Sequence, residues 1–186
     1  MSASTITGRE FHVIAAKEVE SLRAGRQDCS VSFVRHLLVD GSNILHAWPE
    51  LRSLAKRDRD TARAQLVQRL AAIHDADRVR VTIVFDGRGA ELSIDRPSAE
   101  PTFSVVHTSS SLTADDVIEQ MVSGSTDATA CIVATDDLAE RSMVAAARGH
   151  TLTSDDLATW ARQAEARQAA ALEKRRAANQ QEWRKP

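Results

Sequence analysis

"HLLVDGSNILHAWPEL", residues 36–51, is the stretch whose reading decides the fold. Leu37, Leu38 and Val39 make a short, wholly apolar run, the pattern of a strand buried on both faces. The run stops on Asp40, and Gly41, Ser42 and Asn43 intervene before apolar residues resume at Ile44. A strand buried on both faces belongs to a parallel sheet covered by helices, and such sheets carry their functional groups just beyond the carboxyl ends of the strands. Asp40 stands at that place.

The same pattern recurs downstream. "VRVTIVF" (79–85) runs into Asp86, and "ACIVAT" (130–135) runs into Asp136 and Asp137. Between the first two runs, Asp60-Thr61 offers an N-cap, and Ala62, Leu66, Leu70 and Ile73 recur at helical spacing, with Val67, Ala71 and His74 beside them. Trp48-Pro49 packs the start of this first crossover. Residues 87–101, with Gly87, Gly89, Pro97 and Pro101, read as a loop long enough to be functional or mobile rather than a simple connection, and residues 104–107 as a short strand. Thr113 then caps a helix with Asp115 and Asp116 in its first turn. Residues 138–148 read as a helix closed by Gly149, Thr151-Leu152 as a stub of strand, and Ser154 as the cap of a last helix. Strands alternating with helices predict an α/β fold with a central, mainly parallel sheet flanked by helices.

The ends of the chain carry less information. Residues 1–34 form an N-terminal extension in which 11–22 could be a short helix. Residues 161–186 form an Ala-rich, strongly helix-forming tail with almost no large apolar stripe, expected to stand in solvent or to bind a partner. That tail holds seven Lys/Arg against three Asp/Glu, leaving 17 against 23 in the rest, so a basic arm is attached to an acidic body. Aromatic residues make up 4% of the chain and tyrosine is absent, which argues against an aromatic base-stacking sheet and for mainly ionic nucleic-acid contacts. No run approaches a membrane span and no secretory leader is apparent, giving the expectation of a cytoplasmic protein without membrane contact. Cys29 and Cys131 are too few and too isolated for a zinc site or a disulfide framework.

Asp40, Asp86, Asp136 and Asp137 lie at strand ends, and a helix starting on the same edge would add Asp115 and Asp116. Each has an ordinary alternative. Asp40 could start an Asx turn, Asp86 a turn, and Asp137 could cap a helix, while Asp115 and Asp116 suit a helix dipole. Together they are a set of mutually repelling carboxylates that must take up protons or bind a cation. All-oxygen ligands favour Mg²⁺ or Mn²⁺, which suit phosphate-containing substrates. Asn43 is either a turn residue or an amide that orients Asp40 or a water. His46 and His74 read as structural, for no nucleophile accompanies them. The basic stretch 52–60 could guide phosphates toward the acidic edge.

"LLVDGSNILHAWPEL", "VTIVFDG", "TADDVIEQM" and "IVATDDLAER", in this order over residues 36–160, resemble the YacP-like NYN family of the PIN-like ribonuclease superfamily. The resemblance implies a PIN-like three-layer nuclease domain over residues 35–160 and a metal-dependent endoribonuclease that cleaves single-stranded RNA, with messenger RNA on the ribosome as a setting seen in some relatives. By motif position it assigns Asp40 as the first-strand acid with Asn43 as companion amide, Asp86 as the second-strand acid, Asp115 and Asp116 as helix-start acids, and Asp137 after the third strand. The alternative from another class is a catalytically silent PIN-like module that binds RNA.

Overall fold

The strand containing Leu37, Leu38 and Val39 is β1 (His36–Asp40), and all three residues are fully buried. In the computed structural model, which describes residues 35–98 and 100–182, β1 lies between two parallel neighbours. Leu38 is paired with Thr82 of β2 (Arg80–Gly89) on one side and with Val133 of β5 (Cys131–Ala134) on the other. The expected helix over residues 11–22 lies outside the described residues.

The six-stranded sheet has the order β3-β4-β2-β1-β5-β6, where β4 is Phe103–Ser109 and β6 is His150–Leu152. Among the described residues only β3 (Ser93–Asp95) runs antiparallel, at the edge beside β4. From β1 the chain builds outward through β2 to β4, then returns to β5 on the other side of β1. This reversal opens a crevice at the carboxyl end of β1.

Strand alternation divides the core. Leu37, Val39, Ile83 and Phe85 face one layer, made of α1 (Gly41–Ala47), α2 (Pro49–Ala55), α3 (Arg59–Asp77) and α6 (Ser154–Glu182). Leu38, Val84, Val106 and Val133 face the other, made of α4 (Ala114–Ser123) and α5 (Leu138–Ala146). The expected helix–sheet–helix sandwich is the observed one, and each fully buried Leu, Ile or Val in it contributes roughly 1.5–3 kcal/mol.

Several boundaries differ from the sequence reading for local reasons. Helix α3 starts one residue before the expected cap, because the Asp58 carboxylate accepts from the N–H groups of Asp60 and Thr61. Strand β2 does not stop at Asp86; its ladder with β4 is interrupted after Phe85 and resumes at Gly89 opposite Ser109. The expected loop over 87–101 therefore holds the end of β2 and all of β3, while β4 extends to both sides of the expected 104–107. Gly87 sits at that interruption, where a Cβ would collide with the Thr108 carbonyl oxygen. Helix α5 ends at Ala146, and the left-handed residue is Arg148 (φ 67°), not Gly149. Gly149 is needed instead for a close approach, since a Cβ would come within 2.8 Å of Val144. The last helix is capped by Thr153, whose hydroxyl accepts from the Asp156 N–H, and Ser154 is its first residue.

Helix α6 passes residue 160 without a break and docks its first half on α3. Leu157, Ala161 and Ala164 form a buried stripe whose small side chains let the two helices approach closely. Trp160 Nε1 and the Arg167 guanidinium both donate to Asp77, and Gln168 donates to Asp75. Trp48 is buried at the other end of this contact and donates to the Ser154 carbonyl at 3.0 Å. The expectation that residues 161–186 stand in solvent or bind a partner is thus corrected for their first part: small side chains at Ala161 and Ala164 let α3 come close enough to bury them. From residue 169 to 180 every residue is exposed. No helix among the described residues is long and apolar enough to cross a membrane.

Candidate active site

Asp40 terminates β1 and simultaneously N-caps α1. Its Oδ1 accepts the Asn43 N–H at 3.0 Å. This turn requires Gly41, where a Cβ would collide with the Phe85 ring. The carboxylate is only 6% exposed, so it enters the protein from the crevice floor. Burial is the main cause that pushes its pKa up to about 6; the Asn43 N–H opposes the shift, and the charges of Asp115 and Asp86 add to it.

Two further carboxylates meet Asp40. Ligand oxygens of Asp40, Asp115 and Glu140 all lie within 4.8 Å of one another. Asp115, in the first turn of α4, is exposed, and its pKa is raised by partial burial first and then by Asp137, Asp86 and Asp116. Glu140, in the first turn of α5, is 3% exposed, and neither of its oxygens makes a hydrogen bond. The Thr135 hydroxyl lies near enough to oppose its shift without reaching bonding geometry. Burial, followed by the charges of Asp40, Asp115 and Asp137, raises the Glu140 pKa to about 7.

The other sequence candidates surround this triad in different roles. Asp86 accepts the Ala114 N–H through Oδ1 at 3.0 Å, tying the start of α4 to β2, and its own N–H donates to the Ser42 hydroxyl. Asp137 caps α5 by accepting from Ala139 and Glu140. Asp116 closes the capping box of α4 with Thr113. Asp136 accepts from the Ser154 N–H and hydroxyl, fastening the loop after β5 to α6. Asn43 does hold Asp40, but by its backbone; its side-chain oxygen accepts the Asp136 N–H at 3.2 Å, joining α1 to the β5–α5 loop.

Glu140 escaped the sequence reading because Asp137-x-x-Glu140 has capping-box spacing, in which the glutamate returns to the helix start. Here it turns inward. The available signal was its distance of four from Val144, the other buried residue of α5, which puts an acid on the apolar face of the helix.

A buried carboxylate without a donor, in reach of two others, is unfavourable as an anion unless a cation joins it. No Lys or Arg among the described residues stands near enough to lower the pKa of any of the three. An all-oxygen donor set in a partly open crevice fits a hard divalent ion of the magnesium or manganese type.

Comparison with known proteins agrees with this fold. The family model described as YacP-like NYN domain matches residues 37–186. "Uncharacterized protein YacP" of Bacillus subtilis (strain 168) is 33% identical over 106 residues, which are 56% of this chain and 62% of that protein's own length. The crystal structure of Rae1 (YacP) from Bacillus subtilis superposes with a TM-score of 0.65 at 27% identity, covering 77% of this chain and 82% of its own. A point mutant of the same protein superposes with a TM-score of 0.64, also at 27% identity, covering 77% and 84%. The order of strands, the acids at their ends and the match over residues 37–186 together place this chain in the YacP-like NYN domain family, a PIN-like domain of nuclease type.

Proposed function

We propose that the chain is a metal-dependent endoribonuclease that cleaves single-stranded RNA, with messenger RNA engaged by the ribosome as its setting. The observation that carries this reading is Glu140: a buried carboxylate with no donor, facing Asp40 and Asp115. Asp40, Asp115 and Glu140 would hold Mg²⁺ or Mn²⁺. The ion, when bound, supplies a Lewis acid for the phosphodiester, a lowered pKa for a water nucleophile and charge neutralisation at the leaving oxygen.

The chain's own residues supply the positioning. Asp86 and Asp137 each use one oxygen for backbone N–H groups, leaving the second to orient and deprotonate a water at the crevice. Asn43 keeps the β5–α5 loop, and with it Asp137, against the end of β1. Asp116 and Asp136 hold helix starts and act through the residues they position. The exposed edge admits a flexible strand more readily than a stiff duplex.

The test is incubation of the purified protein with end-labelled single-stranded RNA, with and without ribosomes, in Mg²⁺, Mn²⁺ or EDTA. Internal cuts that need the metal and vanish in Glu140→Gln are expected. RNA that is bound but left intact in both metals, with and without ribosomes, would favour the silent RNA-binding module.

A further inference from the structure

We propose that the cavity beside Asp86, walled by Arg63 and His107, is a subsite for one nucleotide of the RNA strand next to the bond that is cut; this rests on the nuclease reading above. The cavity has a volume of about 250 Å³ and lies between α3 and the β2–β4 edge, lined by Asp60, Arg63, Phe85, Asp95 and His107 among others. That is below the roughly 300–1,000 Å³ of pockets for larger small molecules and suits one planar ring.

Arg63 links the cavity to the acids. Its Nη2 donates to the Asp86 carbonyl at 3.1 Å, its guanidinium stands 5.1 Å from the Phe85 ring centroid, and its buried Nε has no hydrogen-bond partner. A guanidinium paired at 3.8 Å with the exposed Asp60 carboxylate is therefore fixed at the very residue that presents a carboxylate to the crevice. Burial first, then the exposed Arg59 and, more weakly, the exposed Arg88 depress the Arg63 pKa, against the opposing charges of Asp60 and Asp86. Arg59, Arg63 and Arg88 give this edge a cationic side, offset in part by Asp60 and Asp86, that a backbone phosphate can approach. The acids alone would repel an RNA backbone. This cluster gives the backbone an attractive rim.

The remaining lining is suited to a base. The His107 ring stacks on Phe85, with centroids 5.7 Å apart and planes at 17°, and is 27% exposed at the cavity. Its Nε2 is 3.5 Å from Asp95 Oδ2. An imidazole face for stacking, with carboxylate acceptors at Asp60 and Asp95 and donors at Arg63, provides both the stacking and the edge contacts by which single-stranded bases are held. A second cavity of about 430 Å³ continues along α3, sharing Ala64, Val67 and Pro97 with the first, so the strand has a path onward.

The test uses the full chain and a fluorescent single-stranded RNA 12-mer, with affinity measured in EDTA across a KCl series and cleavage measured in Mn²⁺. Arg88→Gln and Arg63→Gln should each weaken binding several-fold and reduce the salt slope by about 0.7, the share of one phosphate contact on a single strand. His107→Ala should raise KM about tenfold, as loss of one base stack does, with kcat within about twofold and a relaxed base preference at one position beside the cut. Glu140→Gln should lose cleavage and keep its affinity. Wild-type affinity and salt slope in Arg88→Gln, together with an unchanged KM and base preference in His107→Ala, overturn the subsite while an inactive Glu140→Gln leaves the nuclease intact. If the wild type cuts nothing, yet Arg63→Gln, Arg88→Gln and His107→Ala still lose affinity, the nuclease reading fails and the subsite stands on binding. Should His107→Ala or Arg63→Gln not fold, the exposed Arg88 decides the question.

Discussion

Glu140 and Asp40 make the metal-free protein sensitive to pH in a definite direction. Their pKa values rise from 4.5 to about 7 and from 3.8 to about 6 on folding, so between roughly pH 4 and 7 the folded state binds more protons than the unfolded chain. Stability contributed by these groups is full below about pH 4 and is lost as pH rises to 7. His36 acts oppositely: burial, aided by Arg80, lowers its pKa to about 3, so its neutral ring costs stability as pH falls below 6.5. A comparison of melting temperatures in EDTA isolates the first effect. Glu140→Gln should be more stable than the wild type at pH 8, with the gap closing toward pH 5. Millimolar Mg²⁺ or Mn²⁺ should raise the wild-type melting temperature more at pH 8 than at pH 5, and the variant's much less. An identical pH course in both proteins would show that Glu140 is not held as a strained anion. Gly41 is the other sensitive residue of the site. Because Phe85 is fully buried and cannot yield, Gly41→Ala should destabilise by about 1–3 kcal/mol in a denaturant titration and displace Asp40, lowering cleavage as well.

At the scale of elements, α6 has two halves with different duties. The half up to Gln168 is part of the body through Leu157, Ala161, Ala164 and the Asp77 contacts, whereas the stretch from 169 to 180 is exposed along its whole length. Truncation after Gln168 should leave the melting temperature within about 2 °C of the full chain. Truncation after Trp160 should lower it by several degrees, since each kcal/mol moves a domain of this size by about 2–4 °C. Ala164→Asp should reproduce that loss in the full-length protein, because it buries an unpaired charge. Equal melting temperatures for the two truncations would mean that the α3–α6 contact contributes nothing to stability.

For the whole molecule, the charge asymmetry has a spatial meaning. The free half of α6 carries Lys174, Arg175 and Arg176 away from a body whose crevice is acidic, which suits an arm that attracts a polyanion without joining the chemistry. Removing residues 169–186, which hold five Lys/Arg, should weaken RNA binding and flatten its salt slope by up to about 3.5, as loss of five phosphate contacts on a single strand implies, while kcat at saturating RNA is unchanged. A salt slope identical to that of the full chain would assign the arm to some other partner.

The local code of the chain determined the sheet. The apolar run before Asp40 and the largely apolar, β-branched runs before Asp86 and Asp136 favour buried parallel strands, and Thr113 and Asp137 mark their helix starts by hydrogen bonds confined to a few residues. Those features are short-range, so they are written in neighbouring residues. What only the tertiary structure decided is which acids meet. Asp86, Asp116, Asp136 and Asp137 all accept local or anchoring N–H groups, whereas Glu140, outwardly an ordinary first-turn acid, is carried inward by the docking of α5 on the sheet. The burial of Ala161 and Ala164 was likewise undetermined locally, for an alanine stripe is apolar enough to dock only when α3 offers a matching surface within reach. Proximity between residues some 25 to 100 positions apart depends on how the strands order themselves around β1, and that order is a property of the packed sheet rather than of any segment in it.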